Sequence, residues 1–295
     1  MMIKTDGEVV VEKDNVTQNW TTEIQPKTGW FDIDFKELFQ YKDLIYLFVK
    51  RNYATRYKQT ILGPLWLIIS PVITVLLYCL VFGNLAGLST DGAPKLVFYM
   101  ASNAIWSYFA SCINGTSTTF TGNATVFGKV YFPRLTTPIA TVITSMLDLV
   151  IQVVLVAIII VVYMVTGTQV DVNAWIFAVP LLILQCALLG LGCGIIVSSL
   201  TTKYRDLTVL VSFGVQLWMY ASPVVYSMSV VPEKYQNLYL LNPVSPIIVI
   251  FRHAFIGGGD IPYMMWGISW ITTIVVLAIG VILFSHIEKS FMDTV

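Results

Sequence analysis

Six stretches of the chain stay apolar for roughly the 20 residues that an α-helix needs to cross a bilayer. They cover 63–86, 96–120, 138–165, 174–200, 207–230 and 263–285. The second has the weakest signal, because it closes on Asn114, Gly115, Thr116, Ser117, Thr118 and Thr119. Such residues satisfy one another across packed helices and let backbones approach; alternatively the span stops near Ile113. The fourth carries Gly190, Gly192 and Gly194, which read as a close-packing face and not as a phosphate loop. A seventh run, 238–256, is short, is broken by Pro243 and Pro246, and holds Arg252 and His253. Irregular backbone at membrane depth survives only where protein or water shields it. This run is therefore expected to be a re-entrant helical hairpin that does not cross.

Ahead of the first span, Leu38, Tyr41, Ile45 and Phe48 recur at spacings of three and four, with Leu44 and Val49 widening the stripe. Six Lys/Arg, from Lys36 to Lys58, lie among or just after them. The pattern predicts an amphipathic helix over 35–60. Its apolar face could rest on an anionic membrane surface or on a neighbouring helix. The span that follows directly favours the membrane surface. Residues 1–34 read as a polar flexible cytoplasmic arm with seven acidic residues. They lack the basic start and apolar core of a cleavable signal peptide, so the first span is expected to direct insertion. The expected fold is an all-α polytopic membrane protein. It has six transmembrane helices in 61–295, an amino-terminal interface helix, and a re-entrant hairpin between spans five and six.

Composition agrees: 56% of the 295 residues are hydrophobic, 12% are charged, and the mean hydropathy is +0.75. A soluble domain is about 25% charged. Net charge is zero, so the overall balance suggests no nucleic-acid partner. Its distribution says more. With the amino terminus inside, nine Lys/Arg fall in 1–60, and Lys129, Arg134, Lys203, Arg205 and Lys289 also lie inside. Only Lys95, Lys234 and Arg252 remain outside. Cytoplasmic loops should be the Lys/Arg-rich ones, so both termini are expected in the cytoplasm.

Candidate chemistry is sparse. Cys79, Cys112, Cys186 and Cys193 sit in apolar runs without metal-ligand spacing, and His253 and His286 are the only histidines. Neither disulfides nor a zinc or haem site is expected. Gly122–Lys129 (GNATVFGK) approaches a phosphate-binding loop. However, it has five intervening residues where four are needed and Val130 where the Mg²⁺-binding hydroxyl belongs. The spans hold one carboxylate, Asp148. It is either a proton or cation site or a carboxylate bonded to a neighbour. No second acidic partner supports ion coupling, and no nucleophile–base pair marks an enzyme.

Two inner loops stand out. Phe127, Lys129, Tyr131, Phe132, Pro133 and Arg134 mix aromatics with cations. They read as a docking contact for a cytoplasmic partner, against the plainer reading of an interfacial anchor. Lys203, Tyr204, Arg205 and Asp206 join spans four and five. Asp206 could simply cap a helix amino terminus, and that reading and a docking role stand level.

Five motifs in order then resemble one family. They are Arg56–Trp66 (RYKQTILGPLW) with Pro71, Lys129–Arg134 (KVYFPR), Tyr204–Asp206 (YRD), Ser222–Tyr226 (SPVVY) and Leu241–Pro243 (LNP). From about residue 40 to its end, the chain resembles the ABC-2 type permeases that export O-antigen, capsule and teichoic-acid polymers across the bacterial cytoplasmic membrane. The resemblance implies a homodimer paired with two copies of a separate ATPase subunit. ATP and Mg²⁺ would bind that partner and no cofactor would bind this chain. Residues 127–134 would be the coupling helix, helped by Lys203–Asp206. Asn242, Pro243, Pro246 and Arg252 would belong to a periplasmic re-entrant gate. Spans one and five would line the channel, which makes Trp66, Tyr78, Trp218, Tyr220 and Tyr226 candidates. Aromatic rings stack on the C–H faces of sugars and their polar atoms bond to the hydroxyl edges. The expected substrate is a lipid-linked polysaccharide, O-antigen first, with membrane lipids around it. The alternatives are a drug or lipid exporter of related build, and a membrane enzyme acting on lipid-linked sugars.

Overall fold

The computed structural model describes residues 35–168, 170–204, 206–257 and 261–291, and every regular element among them is helical. The polar arm, 1–34, lies outside the described residues.

The amphipathic segment forms α1 (Phe35–Gln40) and α2 (Lys42–Tyr57), with a break at Tyr41. The predicted stripe faces inward: Phe48 is buried, and Leu38, Tyr41, Leu44, Ile45 and Val49 are half-buried. All but Leu38 pack on Phe120, Phe127, Phe132 and Phe284 of the same chain. The apolar stripe therefore packs on neighbouring helices of the chain, the second of the two resting places its pattern allowed. What α2 leaves uncovered is Lys42, Asp43, Tyr46, Leu47, Lys50, Arg51, Ala54, Thr55 and Arg56.

A left-handed residue, Gln59 (φ 65°), turns the chain, and Gly63 (φ 50°) with Pro64 starts the first span. Glycine tolerates positive φ, and proline at the first helical position loses no bond. The span runs through a 3₁₀ turn, α3 (Trp66–Tyr78) and a π-helical end, Cys79–Leu85. It lies on the outside of the fold, with Ile73, Leu76, Leu77 and Leu80 uncovered.

The second span, α4 (Lys95–Ser117), is the hub. In its most apolar stretch 78% of residues are buried, against 11% for the first span. It passes Ile113 unbroken, is interrupted at Thr118 and is followed by α5 (Thr119–Phe127). Its polar end is satisfied mainly from within. Thr116, Ser117, Thr118, Thr119 and Thr121 each donate a hydroxyl to a carbonyl three or four residues back, a local bond that commonly bends helices. Two bonds reach across helices, from Thr201 to the Ser117 carbonyl and from Ser212 to Asn114.

The third span is α6 (Thr136–Val165), and the fourth is a 3₁₀ turn (Ala174–Ala178) running into α7 (Val179–Thr201). The glycine face behaves as its spacing predicts. A Cβ on Gly194 would sit 1.5 Å from the Thr116 hydroxyl, and one on Gly190 would sit 2.7 Å from Cys112 Cβ, both on α4. One on Gly192 would meet the Leu277 backbone at 2.9 Å, on the last span, α11 (Tyr263–Phe291). Alternate glycines thus seat α7 against two helices at once.

The fifth span is shorter than predicted. Its helix, α8, covers only Leu207–Tyr220, about 21 Å against a hydrocarbon core of about 30 Å. Ser222 and Pro223 follow, and the chain turns until the 3₁₀ turn Met228–Val230. After the short α9 (Glu233–Gln236) and a 3₁₀ turn (Asn237–Leu241), α10 (Val244–Ile256) folds back. The segments on either side of Asn242 and Pro243 meet at 100°, which suits the hairpin reading. Among the described residues five helices are long and apolar enough to cross, and α8 is a shorter apolar helix beside them.

Candidate functional site

The inner loop divides into anchors and a tip. Phe127, Phe132 and Arg134 are buried, Pro133 is half-buried, and Gly128, Lys129, Val130 and Tyr131 are exposed. Ring centroids of Phe132 lie 5.6 Å from both Phe48 and Phe127, so the loop is held against α2. Arg134 sits over the Phe127 ring at 5.4 Å, and its Nη1 donates to the Glu288 carbonyl at 2.6 Å. Burial pulls its pKa down and the Glu288 carboxylate opposes this. Of the expected docking residues, Lys129 and Tyr131 are thus exposed at the tip, whereas Phe127, Phe132 and Arg134 are buried and hold the loop in place. Sequence reasoning had no means to separate the two groups, since each mixes aromatics with a cation. The second loop exposes Lys203, Tyr204 and Asp206, with Lys203 over the Tyr204 ring at 5.4 Å. Asp206 occupies the N-cap position of α8, but its side chain makes no capping bond. Arg205 lies outside the described residues.

Asp148 has a partner. Arg56, near the end of α2, donates to its carboxylate. The pair's side chains are 44% and 16% exposed respectively. Burial alone would lower the Arg56 pKa, but the Asp148 carboxylate and Tyr57 together outweigh it and the net shift is upward. Arg51 adds a bond to Asn123 of α5. These contacts join the surface helix to the third span and to the helix that leads into the inner loop.

On its other side, Asp148 lines a cleft of about 430 Å³ between α3, α4 and α6. Its walls carry hydroxyls (Ser70, Thr74, Ser107, Ser111, Ser145), amides (Asn103, Gln152) and rings (Trp66, Tyr78, Trp106, Tyr108). Gln152 is buried, and its Oε1 accepts no hydrogen bond among the described residues. So many polar groups at membrane depth are costly unless they meet water or a hydrogen-bonding ligand. Sequence reasoning named Trp66, Tyr78 and Asp148 but missed the α4 residues and Ser145 and Gln152 of α6. A helical-spacing scan of α4 would have shown Asn103, Ser107 and Ser111 on one stripe.

The remaining aromatics are placed differently. Tyr220 is exposed. Trp218 packs edge-on to Phe109 at 5.2 Å, and its Nε1 donates to Asn242 Oδ1 at 3.1 Å. Asn242 also donates to the Ala221 carbonyl and the Ser222 hydroxyl, and accepts from the Val244 amide. Tyr226 bonds the Tyr220 carbonyl and the Tyr239 hydroxyl. The motifs at 222–226 and 241–243 thus form one network that ties the end of α8 to the hairpin. Tyr78 reaches it indirectly, by donating to Met219 Sδ at 3.3 Å. Pro243 is the N-cap of α10, and Pro246 and Arg252 lie on its buried face.

The family model described as ABC-2 type transporter matches residues 43–256. An O-antigen export system permease protein of Klebsiella pneumoniae is 26% identical over 251 residues, covering 85% of this chain and 94% of that protein. A protein of the same name from Myxococcus xanthus is 27% identical over 223 residues, 75% of this chain and 83% of its own. The inner membrane transport permease YadH of Escherichia coli strain K12 is 25% identical over 223 residues, 74% of this chain and 83% of its own.

Proposed function

Because the chain belongs to the ABC-2 type transporter family, we propose that it is the membrane subunit of an exporter that moves a lipid-linked polysaccharide, O-antigen first, out across the bacterial inner membrane. The observation that carries the substrate class is the cleft between α3, α4 and α6. Hydroxyls, amides and aromatic rings suit a neutral, hydroxyl-rich polymer that must be held weakly enough to slide. Similarity to permeases named for O-antigen export supports the same reading.

The energy comes from a separate ATPase subunit that binds ATP and Mg²⁺. Two permease copies and two ATPase copies form the working unit. Lys129, Val130 and Tyr131 meet the ATPase, with Lys203 and Tyr204 beside them. The anchors Phe127, Phe132 and Arg134 pass movement of that tip to α2 and α11. The Arg56–Asp148 pair carries it on to the wall of the cleft. Rigid packing transmits small displacements well, because interiors are close-packed.

Deletion of the gene in its own host is the test. Surface polymer should vanish while lipid-linked polymer builds up inside, and plasmid-borne wild type should restore export. Undiminished surface polymer in the deletion strain would refute the proposal.

A further inference from the structure

A second cavity, of about 660 Å³, has no role in the account so far. Its walls come from Thr90–Pro94, Asp171, Ser227–Ser229, Gly257 and Pro262, with α10 forming one side. The charge pattern places all of these loops on the outer side of the membrane.

Three features mark it as built rather than incidental. Ser245 lines it, is 1% exposed, and has a hydroxyl with no hydrogen-bond partner among the described residues. Buried hydroxyls are normally paired. Arg252 is buried against it, with its guanidinium 4.0 Å from the Phe98 ring centroid and Nη1 bonded to the Pro223 carbonyl. Asp91 stands at positive φ (54°) and accepts from the Ser227 and Ser229 hydroxyls. Strained backbone of this kind persists where surrounding contacts hold it, often at ligand clamps.

The charges select the ligand. Arg252 shares the wall with two acidic residues, Asp91 and Asp171, so the cavity has no positive excess for a phosphate or an acidic headgroup. It mixes apolar surface (Phe98, Pro246, Met265) with separated donors and acceptors. Its volume falls within the range of about 300–1,000 Å³ usual for small-molecule sites. We propose that this cavity binds a short stretch of neutral glycan on the outer side of the membrane, as a holding site for polymer that has emerged. The proposal rests on the export reading above.

Photo-crosslinking in intact, polymer-producing cells tests it. Benzoylphenylalanine is placed in the full chain at Val249, which lines the cavity, with Met265 as a second lining position. Ile271, exposed on α11, is the control. The expected result is a periodate-stainable glycan adduct at Val249 or Met265, at least fivefold above Ile271, and absent from cells that make no polymer. No excess over Ile271 at either position, with export intact, would overturn the assignment. A phospholipid-sized adduct in its place would also overturn it. A strain lacking the chain, run alongside, separates the two claims. If its surface polymer were undiminished, the export reading would fall first; if export were lost in that strain and the adducts were missing, only the cavity assignment would fall.

Discussion

The pairing of Arg56 with Asp148 makes an unequal prediction for its two halves. Unit charges about 4 Å apart attract by about 4 kcal/mol at an effective dielectric of 20. Hydration and side-chain entropy reduce this, to about 0.2–1 kcal/mol for exposed pairs, whereas truncating a buried pair costs about 3–5 kcal/mol. Here the guanidinium side is 44% exposed and the carboxylate side 16%. Arg56→Gln leaves the shielded charge uncompensated and should cost about 2–3 kcal/mol. Asp148→Asn leaves a charge that water can reach and should cost about 1–2 kcal/mol. The double variant should fall short of the sum by about 1 kcal/mol or more, as neighbours in contact do. Cys112 and Cys186 are free and buried, so a thiol-reactive fluorogenic dye reports unfolding of the detergent-purified protein. Strict additivity, or a larger loss for Asp148→Asn than for Arg56→Gln, would refute the tie between surface helix and third span. So would an Asp148→Asn protein that stays fully stable yet exports nothing, because the carboxylate would then act in transport itself.

Within the inner loop, Phe132→Ala should cost about 3–5 kcal/mol in the same unfolding assay, as for other buried phenylalanines. Tyr131→Ala should change stability by less than about 0.5 kcal/mol, while polymer-dependent ATP hydrolysis of the complex falls about tenfold, the loss of one interface anchor. Gly194→Ala should cost about 1–3 kcal/mol by forcing α7 off α4. Gly214→Ala, where an added Cβ meets nothing within 4 Å, should be tolerated in the melting curve. Asn242→Leu should cost at least about 2 kcal/mol, because Trp218, Ala221 and Ser222 lose their partner together. It should also raise leakage of small sugars through the purified complex in vesicles.

Hydropathy placed the crossings because apolar length is what a bilayer reads, and the spans at 63–86, 138–165 and 174–200 lie close to their observed helices. It underrated α4 because the innermost helix can afford polar residues that its neighbours shield. It overextended the fifth span because apolar Val224 and Val225 continue past Ser222 and Pro223, where the helix has already ended. The helical stripe of the surface helix was legible from Leu38 to Val49. What it rests on was not, since Phe127, Phe132 and Phe284 come from distant parts of the chain. The same holds for Asp148, whose partner lies 92 residues away, and for Glu288 beneath Arg134, 154 residues on. Composition shows that a loop is aromatic and basic. Only packing shows which of its residues are handle and which are anchor.

The central claim is that this chain supplies a path and a separate ATPase supplies the energy. The most direct measurement is movement of fluorescently labelled lipid-linked polymer across vesicles that contain the purified chain together with its ATPase. The account predicts transport that needs ATP, both subunits and Mg²⁺, and that stops when the exposed tip at Lys129–Tyr131 is replaced by glycines. Transport by the chain alone, or undiminished transport with the tip replaced, would contradict it.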